Sequence, residues 1–365
     1  MPWRSLIAWL LVLPVAGWFV LRAFGLEEGY PMVPLLAYTP LAVAAALALS
    51  GCGGGDPPPA RPEQPYPPKA AEPGAAPEPA EKPAGRVVEV GAKPEGVVFD
   101  QRTGLVAVGV NDPDELVLLD RDGNVRKRIA LPGPPRHLQL AGPGGPVLVP
   151  SEPANELVEV LLPGGGLRAT PVGKQPHDAT AGEDGRIFTA DERGSTISEV
   201  RDGRRIRTVP VDTQPGGIAA VGERVAVVAV QAYTVELYDQ RTLQGQGARN
   251  AGLGPTHVVA DDEGRIYVAD TRGGAILVYA TEPRLKVAGR IALPGSPYGL
   301  ALAGDRLWVT LTGRNQLVEL RAGDQPERLR AFPTVRQPNS VAVDPRSGRV
   351  FVASRSDGTL QLLDP

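Results

Sequence analysis

Prolines return along the chain at Pro94, Pro135, Pro176, Pro215, Pro255, Pro297 and Pro338, with successive gaps of 41, 41, 39, 40, 42 and 41 residues. A period of that length marks a repeat architecture, in which each unit cannot bury its own apolar face and must stack on its neighbours. After each proline a few small or polar residues lead into a short apolar run, such as Gly96-Val97-Val98-Phe99 or Ser340-Val341-Ala342-Val343. A turn follows, as in Asp261-Asp262-Glu263-Gly264, where Asp bonds its own backbone and Gly takes positive φ. A second strand (Ile266-Tyr267-Val268-Ala269), an alternating third (Ile276-Leu277-Val278-Tyr279) and a more polar fourth (Ala288-Gly289-Arg290-Ile291) complete the unit.

Four antiparallel strands in about 40 residues make one propeller blade. The chain is therefore predicted to form an all-β, seven-bladed propeller over residues 86–365. The last repeat stops after Thr359-Leu360-Gln361-Leu362-Leu363, one strand short, while Arg86-Val87-Val88-Glu89-Val90 stands unassigned ahead of the first repeat. Pairing these two segments closes the ring and removes both free edges. An open solenoid of the same units is the alternative. The 44 Gly and 39 Pro fit a turn-rich chain. The 38 basic and 41 acidic residues are interspersed and leave no basic stripe, so nucleic acid is not an expected partner.

The chain opens on two apolar stretches, residues 5–21 and 31–50, each near the length that spans a hydrocarbon core. The second ends in Leu49-Ser50-Gly51-Cys52, which carries the chain's one cysteine and resembles the lipobox of bacterial lipoproteins. That resemblance implies acylation at Cys52, attachment to the membrane through the lipid, and an extracytoplasmic propeller. A lipoprotein signal is normally a single segment. The extra stretch points either to a start further in, at Met32, or to a helical hairpin that leaves the propeller cytoplasmic. Arg4 against Arg22 is too small an asymmetry to orient such a hairpin. Residues 1–52 are thus expected to be targeting or anchoring sequence. Residues 53–85, rich in Pro, Ala and Glu, are expected to be a disordered, semi-rigid spacer.

The 40-residue spacing, the proline ahead of the first strand, and second strands such as Ile266-Tyr267-Val268-Ala269-Asp270 resemble the YVTN repeat of YncE-like bacterial propellers over residues 86–365. The fourth motif position departs from asparagine in most blades, reading Asp191, Asp270 or Ser354. No Trp-Asp pair is present, and Trp308 alone lies in the propeller region, unlike the tryptophan-rich quinoprotein enzymes.

Strand order assigns the residues to faces. The loop entering the first strand and the loop joining second to third share one rim, which carries Glu95, Arg136, His137, His177, Asp178, Thr256, His257, Tyr298 and Asn339, and so all three histidines. Glu95, His137, His177, Asp178, His257 and Asn339 are the candidate site residues for a divalent metal or polar ligand, with His177 and Asp178 as the best-placed pair. Shared descent of the repeats offers a purely structural reason for the recurring histidines. Asp191/Arg193 and Asp270/Arg272, in matching positions, are expected to be rim salt bridges. Two functional classes follow. One is a non-catalytic tethered module for a protein, peptide or glycan. The other comes from resemblance, since similar propellers include metal-dependent lactonases and a lyase acting with magnesium. In that case Glu95, His177, Asp178, His257 and Asn339 would hold the ion, with a histidine as general base.

Overall fold

The structure, a computed structural model, describes residues 69–365. Seven antiparallel sheets of four strands each follow one another around a central channel. Blades 1 to 6 are built from consecutive strands, innermost first, as in blade 5 with Pro255–Ala260, Arg265–Asp270, Ala275–Ala280 and Lys286–Ala292. Blade 7 takes Pro338–Val343, Val350–Ser354 and Thr359–Leu363, and its outer strand is Arg86–Glu89 from the other end of the repeat region. Arg86 stands opposite Leu362 and Glu89 opposite Thr359. The predicted closure is therefore present, and the open solenoid is excluded.

The core is distributed. Each of seven apolar clusters joins two adjacent blades. Phe351 and Leu360 of blade 7 meet Val97 and Phe99 of blade 1, while Val228 and Val235 of blade 4 meet Val258 and Tyr279 of blade 5. A single sheet presents apolar side chains on both faces, so it is stable only between two others, and each fully buried side chain of this size contributes roughly 1.5–3 kcal/mol. Outer strands face water; Gly245–Asn250 is exposed throughout.

At the blade entries Lys93, Gln175, Gln214, Ser296 and Gln337, each just ahead of a motif proline, adopt positive φ. Such backbone is unfavourable outside glycine and persists where neighbours hold it. The Asn155 side chain of blade 2 accepts from Gln175 N at 2.8 Å, and the Asn315 side chain of blade 6 accepts from Gln337 N at 2.8 Å. One blade's second-to-third turn thus fixes the entry of the next. In blades 3, 4 and 7 the register then slips between the proline and the second residue after it.

The expectation of a disordered spacer over residues 53–85 needs correction from Lys69 onward. Residues 69–81 run along the propeller rim, and Ala71 and Ala76 are buried at 8% and 6% exposure. Composition misled because this segment is held through backbone carbonyls rather than large apolar side chains. Residues 53–68, Cys52 and both apolar stretches lie outside the described residues. Among the described residues, no helix is long and apolar enough to cross a membrane.

Candidate binding face

The bulged entry separates two rings. In six of the seven blades the second residue after the motif proline lines a central cavity of about 390 Å³: Gly96, His137, Asp178, His257, Gly299 and Ser340. Deeper, that cavity is lined by Phe99, Leu140, Val259, Leu302 and Val343, so it is polar at the mouth and apolar below. The first residue after the proline turns to the rim. In blades 1, 2, 3 and 5 it there meets the residue that follows the second strand of its own or the preceding blade.

Over blades 7, 1, 2 and 3 these rim residues form one chain of charges. Glu95, 2% exposed, accepts from Arg355 at 2.8 Å and from Arg136 at 3.3 Å. Arg136 Nε lies 3.1 Å from Glu152 Oε1, which is also 2.8 Å from His177 Nδ1. Glu192 Oε2 is 3.7 Å from that same nitrogen, and its other oxygen accepts from Gln214 Nε2 at 2.5 Å. Burial opposes the charge on Glu152, but the His177 bond and the Arg136 cation overcome it and hold the carboxyl below its ordinary range. Likewise, burial disfavours the Arg136 cation, and Glu95 and Glu152 more than restore it. Asn339 closes the chain. Its amide nitrogen reaches the Glu95 carboxylate at 3.3 Å or, turned over, the carbonyls of Ala353 at 3.1 Å and Pro94 at 3.3 Å.

His137 and His257 form a separate pair at the channel mouth, with their Nε2 atoms 2.9 Å apart. His257 Nδ1 lies 3.0 Å from the carbonyl of Tyr298, so it must carry the proton. In the neutral ring Nε2 is then the acceptor, and His137 donates to it from Nε2. Both rings are only 9% exposed. Burial pushes His257 down from 6.5 to about 3, and burial with the neighbouring His257 and His177 pushes His137 well down too. Both are neutral at pH 7.

The six candidates are thus brought to one face but not to one ligand set. Asp178 points away from His177: its oxygens accept from Ala179 N at 2.8 Å, Ile218 N at 3.2 Å and Gln139 Nε2 at 3.2 Å. Burial raises it to about 6 although these donors favour the charged form. The expected pair is absent because consecutive residues of a strand entry face opposite ways. The expected rim salt bridges are corrected as well. Asp191 accepts from the hydroxyls of Thr189, Thr196 and Ser198 at 2.7, 3.0 and 2.7 Å, not from Arg193. Asp270 accepts from the backbone of Leu253, Gly254 and Gly273 at 3.0, 2.9 and 3.0 Å, which leaves Arg272 for other work. Sequence reasoning missed Glu152, Glu192 and Arg355. The available signal was their shared position, one residue past the second strand.

Glu152, His177 and Glu192 also place one ligand atom each within 4.8 Å of one another. With Nδ1 deprotonated, an imidazole and two carboxylates suit a divalent ion.

The other side of the mouth differs. Gly216, Thr256 and Tyr298 occupy the rim of blades 4 to 6, and Thr256 meets Thr271 at 2.7 Å. Over it lies the strap of residues 69–81. Tyr233 Oη donates to Lys69 O at 2.7 Å, Arg272 to Ala70 O at 2.9 Å, Asn315 to Pro77 O at 2.9 Å, and Gly74 N donates to Thr312 Oγ1 at 2.9 Å.

No family model and no curated protein matches the sequence. Among solved structures, the chain is similar to an inactive virginiamycin B lyase from Staphylococcus aureus with quinupristin, at 17% identity and TM-score 0.65, over 77% of this chain and 99% of that one. It is also similar to hydrazine synthase of Kuenenia stuttgartiensis, at 15% identity and TM-score 0.65, over 75% and 96% of the two chains. A chain of the mitotic checkpoint complex aligns at 13% identity and TM-score 0.66, over 81% and 99%. At such identities the likeness establishes the fold: this chain is a seven-bladed β-propeller.

Proposed function

We propose that the protein is a YncE-like, membrane-tethered extracytoplasmic binding module that presents the rim of blades 1, 2 and 3, with Arg355 of blade 7 beside it, to a polar protein, peptide or glycan. The observation that carries this reading is the chain Arg355–Glu95–Arg136–Glu152–His177–Glu192, which borders the channel mouth. Convergent polar groups at a concavity are the default recognition surface. A non-catalytic role is supported by the histidine pair: with its proton affinity depressed to about 3, His257 is a poor general base near neutrality. Binding of peptide and glycan arrays by wild type and Arg136→Glu tests the proposal. Selective loss of a bound class in the variant supports it, and identical profiles contradict it.

A second reading has its own observation. The Glu152, His177 and Glu192 cluster fits a divalent cation, which would move the metal site away from Asp178, His257 and Asn339. Elemental analysis and calorimetric titration with magnesium, manganese and zinc separate the two readings. About one ion per chain, lost in His177→Ala, supports a metal-dependent site, and metal-free protein leaves the binding module.

A further inference from the structure

We infer that the rim of blades 4 to 7 is a recognition groove for an extended, proline-rich peptide, and that residues 69–81 are its resident occupant. The site adjoins the charged chain at blade 7, where Arg336 holds the strap and Arg355 the chain, and stands independently of what that chain binds.

The groove reads backbone. Lys69 O accepts from Tyr233 Oη at 2.7 Å and from Arg272 at 2.9 Å, and Ala70 O from Arg272 at 2.9 Å. Further along, Ala76 O accepts from Arg336 Nε at 3.3 Å and Pro77 O from Asn315 at 2.9 Å. An extended chain rich in proline has few N–H groups to offer and makes no internal hydrogen bonds, so its carbonyls need external donors. Tyrosine, arginine and asparagine side chains from four blades supply them. Arg272 is free for this because Asp270 is already satisfied by backbone N–H groups, and its guanidinium sits 5.7 Å over the Tyr233 ring. Aromatic and donor groups set together in a groove are how polyproline segments are held elsewhere.

The fit selects for small residues on both sides. A Cβ on Gly254 would come within 2.8 Å of Ala71 Cβ, and one on Gly74 within 2.5 Å of Ser296 Oγ. Of the strap's longer side chains, Glu78 pairs with Arg336 at 2.6 Å. What is recognised is carbonyl spacing with Ala and Gly at the close approaches. A segment of like composition from another chain satisfies the same contacts, and the tethered copy competes with it through its high effective concentration.

The test uses the full chain and a labelled peptide with the sequence of residues 69–81, followed by fluorescence anisotropy. Gly74→Trp, whose ring no small shift of the strap can seat beside Ser296 and Gly313, empties the groove. The peptide is expected to bind this variant at least tenfold more tightly than wild type, and Arg272→Ala added to it abolishes the gain. Ala71→Trp, which meets Gly254, is the second release variant should Gly74→Trp lower folded content by circular dichroism. Equal binding to wild type and released variants, or no binding to folded released protein, overturns the inference.

Discussion

The two halves of the channel mouth are built from the same repeat positions and solve different problems. Across blades 7, 1, 2 and 3, Glu95, Arg136 and His177 follow the proline and Arg355, Glu152 and Glu192 follow the second strand, and these six side chains pair with one another from blade to blade. In blades 4 to 6 the same positions are Gly216, Val230, Thr256, Thr271, Tyr298 and Thr312, which cannot form such a chain, and a separate segment lies over them. Sevenfold architecture sets where side chains stand. Which of them find partners is decided blade by blade, and function belongs to that asymmetry rather than to the fold.

The largest effect should come from the charged half. Glu95→Ala leaves Arg136 and Arg355 without their shared buried partner and is expected to cost about 3 kcal/mol in denaturant unfolding, the low end for broken buried pairs because both guanidinium groups stay partly wet. A cost under 0.5 kcal/mol would mean the charged chain is ornamental.

The histidine pair gives a pH test. Because His257 is lowered from 6.5 to about 3 in the fold, the unfolded chain takes up a proton that the folded one refuses. Its contribution is intact above 6.5 and is lost as pH falls toward 3. The stability difference between wild type and His257→Gln should therefore shrink by about 2 kcal/mol between pH 7 and pH 5. Asp178 acts in the opposite direction. Raised from 3.8 to about 6, it favours the fold most at low pH and loses that contribution as pH rises through 6. A pH-independent difference for His257→Gln would place that imidazole in water.

On the covered half, Tyr233→Phe removes a hydroxyl that both donates to Lys69 O and accepts from Lys69 N and Arg272. The expected loss is about 1 kcal/mol, with faster proteolysis after Lys69 and little change in blades 1 to 3. Smallest of all, Arg193→Ala should shift stability by no more than about 0.5 kcal/mol, since Asp191 is held by hydroxyls instead. A larger loss would restore the rim salt bridge.

Much of the fold was legible because the proline period, the turn residues and the missing last strand all point to one closed ring. The histidines' common face followed from strand count alone. Their partners did not, since a register slip of one residue at the entry sends His177 toward Glu152 and Asp178 beneath the rim, and nothing in Gln175-Pro176-His177-Asp178 announces it. Glu152 and Glu192 went unread because the acid inside the second strand, Asp191, drew the pairing argument to itself. The strap escaped because apolar content measures one way of docking a segment, and residues 69–81 use the other.

The division of the mouth is tested most directly by a cross-link. A Cβ on Gly74 lies 2.9 Å from Ser296 Cβ, and a displacement of the strap by about 1 Å gives the separation a disulfide needs. In the full chain carrying Gly74→Cys and Ser296→Cys, mass mapping under mild oxidation should find the intramolecular 74–296 bond in nearly every folded molecule. Free thiols at both positions in folded protein would contradict the account.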